Sequence, residues 1–441
     1  MSGKTLMDAR TTALNALIAT RRQGAWSDGI LKELIAKDGL DRRDAALASQ
    51  LTYGVLQNRM LLDHYLNQTV TRGLSRQHPV TQDILRLGAY QILLLEKIPD
   101  SAAVNQAVNQ AKRYVNERAG SLTNGALRAL VRGKGTLKAP KDLATKYSHP
   151  RELVELLREN LGDNELEAFL KADNETVPTC LQVNTLLANP MEVEAVFTAL
   201  QIPFTRHPWL PGCYLVRGTG SIANLELFKS GRVYVQDPSA KLAAMAAGVQ
   251  PGMDVLDACA APGGKSFAAA IAMENHGSIT SCDIHERKIS LIEKGAERLD
   301  IKILHAQQAD ASKYRAEFAG RFDVVLADVP CSGLGVIRKK PDIRYKDLAP
   351  TEQLPALQLA ILENVSRYVK PGGVLVYSTC TILKRENEGV ARAFLKAHPE
   401  YTLEPFAAPE KLETGNEGML TLLPHKHEAD GFFICRMRKQ A

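Results

Sequence analysis

Residues 253–266 read MDVLDACAAPGGKS, and the reading of this stretch decides the fold. Met253–Ala258 is a short apolar run of strand type, Pro262-Gly263-Gly264 a tight turn, and FAAAIAME (267–274) a helix former. The ending Gly-Lys-Ser is shared with phosphate-binding P-loops. A P-loop, however, needs glycine five positions before its second glycine, and that place is Cys259. Pro262 also removes one backbone N–H from the would-be phosphate cradle. The dinucleotide fingerprint G-x-G-x-x-G is absent too, so the stretch is not a P-loop and a nucleotide-hydrolysing reading is undermined. What remains is a strand, a glycine turn and a helix N-terminus, the first βα unit of a doubly wound sheet.

The pattern continues outward from there. SITSCDI, KILHAQQAD, FDVVLADVP and GGVLVYSTC are β-rich runs separated by helical stretches such as HERKISLIEKGAERLD. Such alternation predicts a parallel sheet covered on both faces, an α/β Rossmann-like domain over 236–441. The late runs GMLTLLP and DGFFICRMRK are expected to finish it as an antiparallel pair. Residues 145–235 mix helical pieces (ELVELLRENL, MEVEAVFTAL) with strand-like ones (TCLQVNTL, CYLVRG, GRVYVQD), which suggests a small α+β module. RGKGTLKAPKD (132–142) reads as a linker, and residues 1–135 read as an all-α bundle. In that bundle Val104, Val108, Ala111 and Val115 share one helical face, and Tyr53, Tyr90 and Tyr114 are expected in the core.

Composition narrows the setting. Residues 1–135 carry 19 Lys+Arg against 11 Asp+Glu, while the remainder carries 36 against 38, so the basic excess lies in the first third. A basic bundle beside a near-neutral domain suits a nucleic-acid docking module on an enzyme. The seven cysteines are scattered without a C-x-x-C pair, which predicts free thiols, no metal site and a cytoplasmic setting. The N-terminal stretch lacks the apolar core of a signal peptide, and no window is apolar enough to span a membrane.

The carboxyl ends of the predicted strands gather the candidate chemistry. Asp283 ends the second strand, where a carboxylate accepts bonds from ribose hydroxyls, and Asp310 follows the third, placed for a base edge. A ribose and an adenine-like base over a turn poorly suited to pyrophosphate describe S-adenosylmethionine. The expected cofactor set is Cys259, Ala260, Ala261, Pro262, Gly263, Gly264, Lys265, Asp283, Lys288, Asp310 and Asp328. Cys331 and Cys380 both fall at strand ends, with Asp328 three residues before the first. A thiol exposed near a lysine or a helix N-terminus can ionise near neutral pH and become nucleophilic.

CAAPGGK (259–265), Asp328-x-Pro330-Cys331-Ser332 and Ser378-Thr379-Cys380 together resemble the RNA cytosine-5 methyltransferases of the Sun/NOP family. QDPSA (236–240), PDIRY (341–345), Glu386-Asn387-Glu388 and DGFF (430–433) match further blocks of that family. IPDSAAVNQAVNQAKRYV (98–115) and NGALRALV (124–131) resemble the RNA-binding domain of the antitermination factor NusB. The combination is similar to bacterial 16S rRNA methyltransferases, with tRNA as the alternative substrate. The resemblance implies Cys380 as the attacking thiol, Cys331 in product release, Asp328 on the pyrimidine edge and Lys265 orienting the site. It further implies RNA as partner; no DNA or membrane partner is expected, and a monomer is the default expectation. Three places depart from the family pattern: Gln182 stands for an arginine, Thr381 for a serine, and Lys384-Arg385-Glu386-Asn387 where the family commonly has a proline before Glu-Glu-Asn. Arg338, Lys339, Lys340, Arg344 and Lys346 form a basic cluster expected to meet RNA phosphates.

Overall fold

The computed structural model describes residues 8–23, 27–409, 412 and 417–441. The first seven residues, which open the N-terminal stretch that lacks a signal-peptide core, lie outside the described ones. By compactness the chain divides into two units. One comprises the residues up to Glu175 with Ile337–Lys346, the other Thr176–Val336 with Asp347–Ala441.

The first unit is helical, as its 3.6-residue grain predicts. Its helices are α1 (Ala9–Gln23), α2 (Ser27–Asp38), α3 (Arg42–Gln57), α4 (Arg59–Asn67), α5 (Pro79–Leu94), α6 (Asp100–Tyr114), α7 (Glu117–Arg132), α8 (Leu143–Tyr147), α9 (Arg151–Leu161) and α10 (Asp163–Ala172). Asp41 and Asn116 start α3 and α7 by accepting the N–H groups of Asp44 (2.8 Å) and Ala119 (2.9 Å), which a helix cannot satisfy internally. On α6, Val104 and Ala111 are buried, and Val108 packs beside them against the core. Tyr90 lies in the same core. Its ring fills the space that a Cβ on Gly54 would need, 2.0 Å away, so α3 must carry glycine there.

Residues 337–346 belong to this unit through Arg344. The side chain is 1 % exposed. Its guanidinium donates to the carbonyls of Gln57 (2.9 Å), Tyr147 (3.3 Å), Ser148 (3.4 Å) and Asp173 (3.3 Å), and to Asn174 Oδ1 (2.9 Å). These acceptors sit at the C-terminal ends of α3, α8 and α10, where carbonyls lack helical partners and the helix dipoles are negative. Tyr345 adds a bond from its hydroxyl to the Leu56 carbonyl, 2.9 Å. The sequence reading that placed Arg344 among solvated RNA contacts is therefore corrected: three helix ends absorb its charge. Lys339, Lys340 and Lys346 are exposed.

In the second unit, β1 (Thr179–Val183), β2 (Phe204–Arg206), β3 (Cys213–Val216) and β4 (Val233–Val235) form an antiparallel sheet in the order β2-β3-β1-β4. Helices α11 (Pro190–Ala199) and α12 (Glu226–Lys229) connect its strands. Gln182, the departure from the family's arginine, is buried and donates to the Gln236 carbonyl (3.2 Å) and Cys213 Sγ (3.3 Å). That position makes a fold contact in this chain.

The larger sheet contains β5 (Asp254–Asp257), β6 (Ser278–Asp283), β7 (Leu304–Gln308), β8 (Phe322–Asp328), β9 (Val369–Thr379), β10 (Tyr401–Leu403), β11 (Met419–Leu422) and β12 (Phe432–Lys439). Its order is β10-β12-β9-β8-β5-β6-β7, parallel from β7 to β9. The expected late pair forms: β12 runs antiparallel to both β9 and β11. The three-residue β10, which the sequence reading missed, pairs with the other half of β12. Side chains alternate faces along each strand. Val255, Val374, Val376 and Ile434 join a core with residues of α13 (Pro238–Ala246), α14 (Gly264–Ala272) and α15 (Glu286–Arg298). Leu256, Leu375, Tyr377 and Phe433 join the opposite core with α16 (Leu354–Ser366) and α17 (Glu388–Ala397). The four-residue α18 (Pro424–His427) lies between β11 and β12. Connections leave β5 and β8 in opposite directions, which opens a crevice at the carboxyl ends of these two strands.

Candidate active site

The glycine turn sits over that crevice. Gly263 adopts a φ of 109°, and a Cβ there would lie 2.4 Å from the Phe267 ring, so only glycine turns β5 into α14. Ser266, which in a P-loop would face a metal–phosphate group, donates inward to Asp257 Oδ2 (2.7 Å) and accepts from Ser281 Oγ (2.8 Å). Of the predicted turn residues, Ala260 is buried and hydrogen-bonds from its N–H to the Cys282 carbonyl, 2.7 Å. Burial pushes the Cys259 thiol up, away from the reactive range. Gln236 lies 3.3 Å from where a Gly264 Cβ would project, and its buried amide nitrogen and oxygen have no partner.

Carboxylates mark four successive strand ends. Asp257 was passed over in the sequence as a mere strand residue. Burial raises its carboxyl to about 6, against the lowering effect of the Ser266 hydroxyl, and its Oδ1 has no partner. Asp283 Oδ1 accepts the His285 N–H (2.9 Å), with the Lys288 ammonium 3.6 Å away. Asp310 Oδ1 is held by the Ser312 N–H (3.0 Å) and hydroxyl (2.6 Å). Asp328 closes the row beside the thiols.

Asp257 carries a measurable pH signature. An unfolded aspartate loses its proton near 4 whereas the native group holds it to about 6, so the folded state binds more protons in that window. Its contribution therefore makes stability fall as pH rises from about 4 to 6 and level off above, by up to about 3 kcal/mol. Urea unfolding of Asp257→Asn beside wild type at pH 4.5 and 7 is expected to show the variant gaining relative stability at the higher pH.

The two candidate cysteines come together. Cys331 Sγ and Cys380 Sγ lie 3.1 Å apart. The hydrogen bond to Cys380, then burial, then the charges of Glu386 and Asp328 push the Cys331 thiol well up. Lys265 donates to Asp328 Oδ2 at 2.6 Å, and Ser378 donates to Asp328 Oδ1 at 2.8 Å. Burial pulls the Lys265 ammonium down, but Asp328, Asp257 and Cys380 outweigh it and leave its pKa raised. The Phe432 ring lies 5.2 Å from Nζ. Within Ser378-Thr379-Cys380 and DGFF, neither Ser378 nor Phe432 carries a sequence signal of its role. Gly335 donates its N–H to the Cys380 carbonyl (3.0 Å) and approaches Gly431 so closely that a Cβ would lie 1.9 Å from the Gly431 oxygen. Among the described residues no cluster of three His, Cys, Asp or Glu side chains could hold a metal ion. No helix among them is long and apolar enough to cross a membrane.

A doubly wound sheet with a glycine turn and acids at its strand tips is the architecture of a methyltransferase domain, here with two thiols facing each other at the site. The chain belongs to the 16S rRNA methyltransferase RsmB/F family, whose model matches residues 244–438, with a NusB family match over 7–132 and a ferredoxin-like domain of the same family over 149–223. It is 39% identical to a probable ribosomal RNA small subunit methyltransferase B of Bacillus subtilis, covering 98% of each chain. It is 31% identical to the ribosomal RNA small subunit methyltransferase B of Salmonella typhi, again over 98% of each. Among solved structures, PH0851 superposes with a TM-score of 0.81 at 27% identity, over 97% of this chain and 98% of that one.

Proposed function

We propose that this protein methylates carbon 5 of a cytosine in 16S rRNA, and that Cys380 is the nucleophile and Cys331 the release residue. The observation that carries the reading is the 3.1 Å pair of thiols beside the Lys265–Asp328 ion pair. The ribosomal relatives favour rRNA over tRNA.

The cofactor turn fits S-adenosylmethionine. Asp283 keeps an oxygen beyond the one held by the His285 N–H, the Asp257 Oδ1 and the Gln236 amide have no partner, and Pro262 lacks the N–H that a pyrophosphate cradle would use. We assign Cys259–Gly264, Asp283, Lys288 and Asp310 to holding it. Bound there, it supplies an electrophilic methyl group. The protein's own task is to make carbon 5 nucleophilic.

Two thiols at 3.1 Å cannot both ionise, because like charges so close repel strongly. Burial and the neighbouring charges hold the proton on Cys331, so Cys380 is the thiol this reading assigns to attack, and its charged form and the Lys265 ammonium attract one another. Cys380 Sγ adds to carbon 6, forming a C–S bond and turning the ring into an enamine whose carbon 5 can take the methyl group. Asp328, fixed by Lys265 and Ser378, still has lone pairs for the exocyclic amine of the pyrimidine. Forming the C–S bond consumes the charge on Cys380, the largest influence holding the Cys331 proton. Cys331 then gives its proton up to water, its thiolate takes the carbon-5 proton, and the ring electrons expel Cys380 as a thiolate as the C–S bond breaks. A base stacked in a helix would be out of reach, so the target cytosine is presented unpaired or flipped.

The direct test is transfer of labelled methyl groups from S-adenosylmethionine to unmodified 16S rRNA, followed by nucleoside analysis. Label in 5-methylcytosine supports the reading. Label confined to tRNA, or to another nucleoside, sinks it.

A further inference from the structure

Glu386 and Gln358 take no part in the bond-making steps described above, although the Glu386 charge helps to hold the Cys331 proton. Both are buried, at 0 % exposure. Gln358, on α16, donates one amide nitrogen to two acceptors: the Pro330 carbonyl (2.9 Å) and Glu386 Oε2 (2.8 Å). The same carboxylate oxygen accepts the Ser332 N–H at 2.9 Å. The residues on either side of Cys331 are therefore gripped by one two-residue clamp. The clamp is tied to the other thiol as well. Ser332 Oγ meets Thr381 Oγ1 at 2.7 Å, and Asn387 accepts from the Thr379 hydroxyl (2.6 Å) while donating to the Thr381 carbonyl (3.0 Å). Both residues flanking Cys380 are thus held from the same Glu386-Asn387 corner.

A carboxylate sealed from water costs several kcal/mol unless strong partners compensate. Here it reaches neutral amide donors at one oxygen, and its Oε1 has no partner. Filling the space behind a loop does not call for such a group. Holding two backbone segments at fixed separation does, because one oxygen with two lone pairs can accept two donors at once.

We propose that Gln358 and Glu386 are positioning residues for product release, gripping Pro330 and Ser332 so that the Cys331 thiol stays within reach of the carbon-5 proton. The inference rests on the assignment of Cys331 to release. A loosened grip leaves Cys380 free to attack and methyl transfer to proceed, but misplaces the base that ends the cycle. The covalent protein–RNA species then builds up.

The experiment mixes full-length protein with 16S rRNA and S-adenosylmethionine and resolves adduct from free protein on a denaturing gel. It compares wild type, Cys331→Ala, Gln358→Leu, Glu386→Ala and Glu386→Gln, with the single-turnover rate of methyl transfer measured beside it. Gln358→Leu and Glu386→Ala are expected to raise the steady-state adduct at least tenfold while single-turnover transfer changes less than about threefold. Glu386→Gln keeps a carbonyl oxygen that can accept both bonds, and is expected to retain near-wild-type release. Loss of structure alone would lower adduct formation and transfer together, so that pattern in Gln358→Leu overturns the proposal. Adduct at wild-type level in Gln358→Leu and Glu386→Ala, with Cys331→Ala still trapping, also overturns it and leaves the assignment of Cys331 intact. Trapping by Glu386→Gln as strong as by Glu386→Ala shows that charge rather than grip matters, and overturns it too. If Cys331→Ala itself traps nothing, the assignment of Cys331 falls first and the clamp's role with it.

Discussion

Cys380→Ala is expected to lose methyl transfer by at least about 10³-fold, the scale on which removing a covalent nucleophile acts. About 4 kcal/mol of barrier lowering would vanish with it. The loss should appear in kcat, because the sulfur bonds to the base only after the RNA is bound. Cys331→Ala should behave differently. Its cycle stops after transfer, so the gel shows a slow-migrating adduct that carries the methyl label. Should the label-bearing adduct form with Cys380→Ala instead, the two roles are exchanged.

Asp328→Ala is expected to damage both activity and stability. The carboxylate takes the Lys265 ammonium at 2.6 Å and the Ser378 hydroxyl at 2.8 Å. Lys265 is 12 % exposed, so truncating its partner strands a charge that water barely reaches. Breaking a pair of this kind costs about 3–5 kcal/mol, visible as a lowered urea midpoint. Activity should fall by about 10²–10⁴-fold, the range for a group that supports proton movement or charge on the reacting base. Asp328→Asn separates the two losses: it keeps the shape and an acceptor oxygen, so stability recovers in part while transfer stays low. An Asp328→Ala protein that turns over normally would remove this residue from the mechanism.

Much of this site was legible because its groups stand directly after β-branched runs. Asp283 follows SITSC, Asp328 follows FDVVLA and Cys380 ends VLVYSTC, so a strand forecast places each at a carboxyl end without further information. Asp257 followed the same rule and was overlooked, since it resembled one more polar residue in MDVLDA. The clamp was out of reach for a different reason. Gln358 and Glu386 lie 28 residues apart on separate elements, and nothing local distinguishes a buried Glu from a solvated one. β2 and β10 are three residues each, too short for alternation to register. The basic run at 338–346 misled because charge runs are mostly solvated, and only the three-dimensional gathering of helix ends shows why Arg344 is not.

The membership of residues 337–346 in the helical unit sets an order of events during synthesis. Helices α3, α8 and α10 leave the ribosome early, yet the guanidinium that satisfies their terminal carbonyls arrives with Arg344. Between Glu175 and that residue lie roughly 170 positions, or about 10–30 s of translation at 5–20 residues per second. For that interval the nascent bundle stands open at one corner, its carbonyls hydrated and its final helix ends unpinned. The missing piece, Arg344, follows Cys331 by thirteen residues in the chain. A truncated polypeptide that lacks the thiol therefore also lacks the pin, and the helical unit reaches its finished form only in chains that have already received Cys331.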